Sequence, residues 1–141
     1  MPASFFEANT STRSYSLMQR VASVVFVSAQ YMAIGFACGI VGTVLVYSMI
    51  SARQIVQPDY EPARALPEVI PNSLGWGLFL ASSSNLRFQA VEGMEIALAR
   101  MLRGRDFLLN AIIVSLRFGN NLYGGVQFVQ FFRALGLQDT A

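Results

Sequence analysis

The sequence predicts an all-α integral membrane protein, a helical bundle of about three hydrophobic segments plus an amphipathic helix. Three observations lead there. Hydrophobic residues make up 54% of the 141-residue chain and charged ones 13%, against roughly 25% charged in a soluble domain. A chain this short has too much surface for its volume to hide so much apolar area from water. The run Val21 to Ala52 contains neither a charge nor a proline, and about 20 apolar residues suffice to cross a bilayer. Two further apolar stretches follow, separated from the first by a proline-rich polar link. The length accommodates one domain, with a polar N-terminal segment over 1–20 and a membrane region over 21–138.

The first segment is rich in Ser and Thr but contains Glu7 and is short. It is read neither as a transit peptide nor as a secretory signal, which would need a short apolar core and a cleavage site. Arg20 and Arg53 bracket the long apolar run and can snorkel to the two interfaces. Tyr47 is an interfacial candidate. Within the run, Gly35, Gly39 and Gly42 with Ala29, Ala33 and Ala37 make one side small. Gly35 and Gly39 form the G-x-x-x-G step that lets a second helix approach closely, either within the chain or in another copy. Cys38, the single cysteine, is read as a small buried residue. It excludes an internal disulfide.

Arg53 to Pro71 holds four prolines among charged residues and reads as a polar link. Val69 to Leu86 is a weaker apolar stretch, with Trp76 placed as an interfacial residue would be and a run of serines before Asn85. A crossing packed inside a bundle is the first reading and a re-entrant element the second. Arg87 to Arg105 reads as the amphipathic helix, with Val91, Met94, Leu98 and Met101 on one stripe and Gly104 as its stop. Phe107 to Phe132 is apolar apart from Arg117, Asn120 and Asn121, and its glycines allow a break or a close contact.

If all three apolar segments cross, Arg13, Arg20, Arg100, Arg103 and Arg105 share one side, with Arg53, Arg64 and Arg133 on the other. The positive-inside tendency then puts the N-terminus on the cytoplasm-like side.

All ten basic residues are arginines, scattered along the chain, and the net charge is +2; nucleic acid is not an expected partner. With no histidine, a Ser–His–Asp or Cys–His pair is excluded. There is no phosphate loop or dinucleotide fingerprint, and no metal-ligand spacing around Glu92, Glu95 and Asp106. The chain is read as a non-enzyme without cofactor or metal. What remains are polar residues at membrane depth: Asn85, Arg87, Gln89, Glu92, Glu95, Arg117, Asn120 and Asn121. Such residues normally face a bundle interior or a water-filled cavity. They form either a binding site for a charged solute or fixed pairs that hold helices in register. A zwitterionic amino acid would need both signs of charge, and both occur here.

The segments Phe5-Phe6-Glu7 and Tyr15-Ser16-Leu17-Met18-Gln19-Arg20 resemble the RETICULATA and RETICULATA-related proteins. So do Ala29 to Phe36, Gly39 and Val41-Gly42-Thr43. The same holds for Ser83-Ser84-Asn85-Leu86-Arg87-Phe88-Gln89 with Gly93 and Glu95, then Arg117-Phe118-Gly119-Asn120-Asn121 and Ala134 to Gln138. The resemblance implies a protein of the chloroplast inner envelope, linked to leaf and chloroplast development and to amino-acid transport. Family proteins carry a transit peptide and a variable region ahead of this part, so a truncated, processed or reduced member is the expectation here. On that basis Glu92 and Glu95 are expected to attract the cationic part of an amino acid, a basic one included, and Arg87 its carboxylate. So few spans imply a homo-oligomer or a subunit of a membrane complex. The alternative function is a non-transporting structural or assembly subunit.

Overall fold

The computed structural model describes residues 1–62 and 65–138; Arg64, counted above with the link, lies outside them. Among the described residues the chain is all-helical: α1 (Leu17–Val56), α2 (Val69–Phe79), α3 (Asn85–Met101) and α4 (Asp106–Ala134). A π-helical segment, Leu80–Ser84, joins α2 to α3 without a break in the helical backbone. The three resulting rods run antiparallel to their neighbours in sequence.

α1 starts four residues ahead of the uncharged run because Ser16 and Gln19 form a capping box. The Gln19 N–H donates to Ser16 Oγ at 3.3 Å and the Ser16 N–H to Gln19 Oε1 at 3.0 Å, so two otherwise orphaned donors are satisfied. Its other end passes Arg53 and reaches Val56, stopping before Pro58, which disfavours helix in the preceding residue. The link is therefore shorter at both ends than its proline content suggests. Pro71 falls in the first turn of α2, where no backbone donor is needed.

The α1–α2 contact is close. A Cβ on Gly35 would lie 2.7 Å from the Trp76 carbonyl oxygen and 2.8 Å from Gly77 Cα, and one on Gly39 would lie 2.6 Å from Ser73 Cα. The partner of the G-x-x-x-G step is thus inside the chain. Gly42 faces open space and takes no part in this contact. Asn72 Nδ2 donates to Thr43 Oγ1 at 2.8 Å beside it. α4 closes the bundle through an aromatic cluster: Trp76 and Phe128 centroids are 4.5 Å apart, Phe128 and Phe132 are 4.2 Å apart. Phe79 meets Phe128 edge to face, and Phe132 is 3% exposed.

Several expectations change. The second apolar stretch and the amphipathic helix are one rod rather than two elements, and that rod runs on without reversing as a re-entrant loop would. Along the amphipathic stripe, which a membrane-surface helix or a bundle helix would both show, Val91 is buried whereas Met94 and Met101 are exposed. Of the two readings of its glycines, α4 shows no break at Gly119, Gly124 or Gly125, and Gly124 makes the close contact, against Arg87. Cys38 is exposed on α1 rather than buried. Gly104 does stop the helix, with φ +78°. Among the described residues α1 is the one helix long and apolar enough to cross a membrane.

Candidate functional site

The π segment sets the geometry of the candidate residues. A turn closed by i→i+5 bonds holds one residue more than an α-turn and loosens the carbonyl ladder, and such turns often mark functional positions. Ser28 Oγ, from α1, donates to the Ala81 carbonyl at 3.0 Å. Just past the segment, the rod presents Asn85 to α1 and Arg87 to α4.

Asn85 is 1% exposed. Its Nδ2 donates to Ser28 Oγ at 2.6 Å and to the Val24 carbonyl at 3.1 Å, and its Oδ1 accepts from Gln89 Nε2 at 3.3 Å. Gln89 Oε1 in turn accepts the Phe5 N–H at 2.7 Å. One ring of this N-terminal segment, Phe6, covers Gly93, and Arg20 Nη1 donates to the Glu7 carbonyl at 2.8 Å. Asn85 and Gln89 are thus occupied in holding α1, α3 and the N-terminal segment together. Neither lines the cavity described below.

Arg87 lies on the opposite face, half-buried. Its Nη1 donates to Ser83 Oγ at 2.7 Å and to Gln127 Oε1, its Nη2 donates to Ser84 Oγ at 3.1 Å, and Ser83 Oγ reaches Gln127 Oε1 at 2.8 Å. The guanidinium lies 5.4 Å from the Phe79 ring centre and against the bare backbone of Gly124. Every one of these partners is neutral. A half-buried cation held by neutral acceptors retains its charge and its pull on an anion.

Glu95 and Arg117 form a two-pronged ion pair across α3 and α4, Nε to Oε1 at 2.6 Å and Nη2 to Oε2 at 2.8 Å. Glu95 is 14% exposed and Arg117 61%. This pair fixes helix register, the other of the two roles open to these residues, and it removes Glu95 from the free anions.

Between α1, α3 and α4 lies a cavity of about 460 Å³. Arg87, Glu92, Arg117, Asn120 and Asn121 line it, with Tyr31 and Ile34 of α1 as an apolar wall. Five of the eight candidate residues therefore meet there; Asn85, Gln89 and Glu95 do not. Glu92 makes no side-chain hydrogen bond or ion pair among the described residues. Ser83, Ser84 and Gln127 hold Arg87 and were not among the site residues expected from the sequence. Gln127 had a legible signal, an amide between Val126 and Phe128 in an apolar stretch, although Gln130 shares that pattern. A larger cavity, about 840 Å³, opens at the far end against Trp76, Phe128 and Phe132 and contains none of the eight.

A family model described as RETICULATA-like, Protein RETICULATA-related, matches residues 1–94. The chain is 34% identical to Protein RETICULATA, chloroplastic, of Arabidopsis thaliana over 98% of its own length and 32% of the relative. It is 31% identical to Protein RETICULATA-RELATED 1, chloroplastic, with the same coverage of both chains. Against Protein RETICULATA-RELATED 3, chloroplastic, identity is 33% over 89% of this chain and 36% of the relative, both from the same plant. The chain spans about a third of the length of these curated relatives. No solved structure matches it.

Proposed function

Because this chain belongs to the RETICULATA-related family, we propose that it works in a plastid membrane, the inner envelope in the first instance, as a helical component that binds amino acids and carries them across. Its relatives bear the word chloroplastic in their names, which supports the compartment. α1 supports the bilayer: only 17% of its most apolar stretch is buried inside the fold, whereas the core helix of a water-soluble domain is mostly covered. A role in chloroplast and leaf development would follow from supplying or withdrawing amino acids.

One observation carries the solute reading. Arg87, held only by neutral groups, and Glu92, which makes no side-chain hydrogen bond or ion pair among the described residues, line the same cavity. Its volume lies in the range of roughly 300–1,000 Å³ usual for small-molecule sites. Arg87 takes the solute's carboxylate in place of a fixed counter-charge, and Glu92 takes an ammonium or guanidinium. Glu95, expected from the sequence to share that task, is left to its ion pair. Three rods enclose no continuous path, so copies of the chain or a partner subunit complete it.

The test is uptake of a labelled basic amino acid into proteoliposomes, alongside the ligand-induced thermal shift in detergent. A hydrogen bond to a charged group is worth roughly 1.5–3 kcal/mol, so Arg87→Gln and Glu92→Gln should each weaken binding by about 10- to 100-fold. Unchanged binding and uptake in both variants, with helicity intact, would overturn the assignment. A second reading, a non-transporting assembly subunit, is favoured by the number of polar residues engaged in joining helices, Asn85, Gln89 and the Glu95–Arg117 pair. It predicts copurification with other membrane proteins and no flux.

A further inference from the structure

The turn between α3 and α4 carries a surface that neither the bundle nor the cavity uses. Arg100, Arg103 and Arg105 are exposed and make no side-chain hydrogen bond or ion pair among the described residues. Asp106 is the single acid among them. The turn is tight: the Arg105 N–H donates to the Leu102 carbonyl at 3.0 Å, and Gly104 has a left-handed φ of +78°. On either side stand two large apolar side chains with almost nothing covering them, Met101 at 79% and Phe107 at 89% exposure, followed by Leu108 at 42%.

Met and Phe side chains this exposed leave apolar area in water that burial would stabilise. Three unpaired arginines in the same turn resist burial against an apolar protein surface. An interface that is apolar at depth and anionic above accommodates both at once. The position agrees. The turn lies at the end of the bundle that also holds the N-terminal segment, pinned there through Phe5 and Gln89, and that segment adds an exposed Arg13. We propose that the turn from Arg100 to Leu108 is a lipid anchor, Met101 and Phe107 entering the acyl boundary while Arg100, Arg103 and Arg105 bind anionic lipid headgroups. The occupant is the phosphate or sulfonate of a membrane lipid. Its function is to fix which leaflet faces this end and at what depth the rods sit.

The experiment uses the single native tryptophan. Trp76→Phe combined with Phe107→Trp moves the reporter to the tip, and the chain is placed in phosphatidylcholine nanodiscs containing a tenth of either brominated phosphatidylglycerol or brominated phosphatidylcholine. Brominated phosphatidylglycerol should quench the tip at least about twofold more than brominated phosphatidylcholine at equal mole fraction. That difference should vanish in Arg100→Gln/Arg103→Gln/Arg105→Gln and in high salt, with helicity unchanged. Equal quenching by the two lipids would overturn the proposal. So would a tip that neither lipid quenches, which would leave the turn in water or on an acidic protein. Met101→Trp with Trp76→Phe repeats the measurement on the other side of the turn if the first variant folds poorly. Solute uptake plays no part in the readout, so the loss of the transport reading would leave this result standing.

Discussion

Asn85 and Arg87, two residues apart, show how one rod serves two purposes. Asn85 is surrounded by partners that need it: its loss removes two hydrogen bonds to α1 and leaves the Gln89 amide without its acceptor. Asn85→Ala should therefore lower stability by about 1–3 kcal/mol, read as an earlier midpoint in thermal or detergent unfolding, and loosen the N-terminal segment to proteolysis. A wild-type midpoint would show that the clamp is not made. On the proposed function, Arg87 is held instead for its charge. Gly124→Ala puts a methyl 2.8 Å from its Nη2, the far end of a flexible side chain, so the guanidinium must swing. The expected outcome is weaker amino-acid binding with stability changed by less than about 1 kcal/mol. Large unfolding with binding intact would mean that Arg87 serves packing alone.

At the scale of elements, the glycines of α1 divide by what faces them. Ala at Gly35 or Gly39 drives its Cβ into the backbone of α2, which has no rotamer to yield, so the hairpin must spread and lose about 1–3 kcal/mol. Ala at Gly42 meets nothing and should be neutral or stabilising by up to about 1 kcal/mol, since glycine is a poor helix former. Equal midpoints for the three variants would place the α1–α2 contact elsewhere. The π segment makes a different prediction. Its additional residue lets α2 and α3 each keep the right face toward α1, so deleting exposed Ser82 should give a straight α-helix with both contacts retained. Deleting Ala90, inside α3, turns Gly93 and Glu95 away by about 100° and should abolish the Arg117 pair and the Phe6 contact. Unfolding by both deletions alike would refute this. The small-residue step and the long apolar run were legible in the sequence because composition and spacing alone encode them. The fused rod was not, because Ser82 to Asn85 reads as a polar boundary until Ser28 and Gln127 supply partners from distant positions. For the same reason the pairing of Glu95 with Arg117, and thus the release of Glu92, was hidden: separation along the chain does not reveal which of two acids on a helix meets the third rod.

At the scale of the molecule, the antiparallel order sorts the charged ends. The N-terminal segment and the α3–α4 turn lie at one end, and the described part of the α1–α2 link and the end of α4 at the other. This is the order expected from counting arginines, with Arg64 outside the described residues. α1, at 40 residues, is about 60 Å long, twice the hydrocarbon thickness of roughly 30 Å, so on the proposed membrane reading it extends past the bilayer at an end or tilts strongly. On that reading the two ends emerge on opposite sides. In a Cys38→Ala background, single cysteines at Thr10, Arg103 and Asp59 can be labelled in sealed vesicles of one dominant orientation with an impermeant maleimide. Thr10→Cys and Arg103→Cys should label together, and Asp59→Cys only after the vesicles are opened, or the reverse set in the other orientation. Labelling of all three before opening would mean that the rods lie along the surface with the bilayer uncrossed. The cavity beside Arg87 would then open to a single compartment, and transport through it would fail on topology, whatever the affinity of the site.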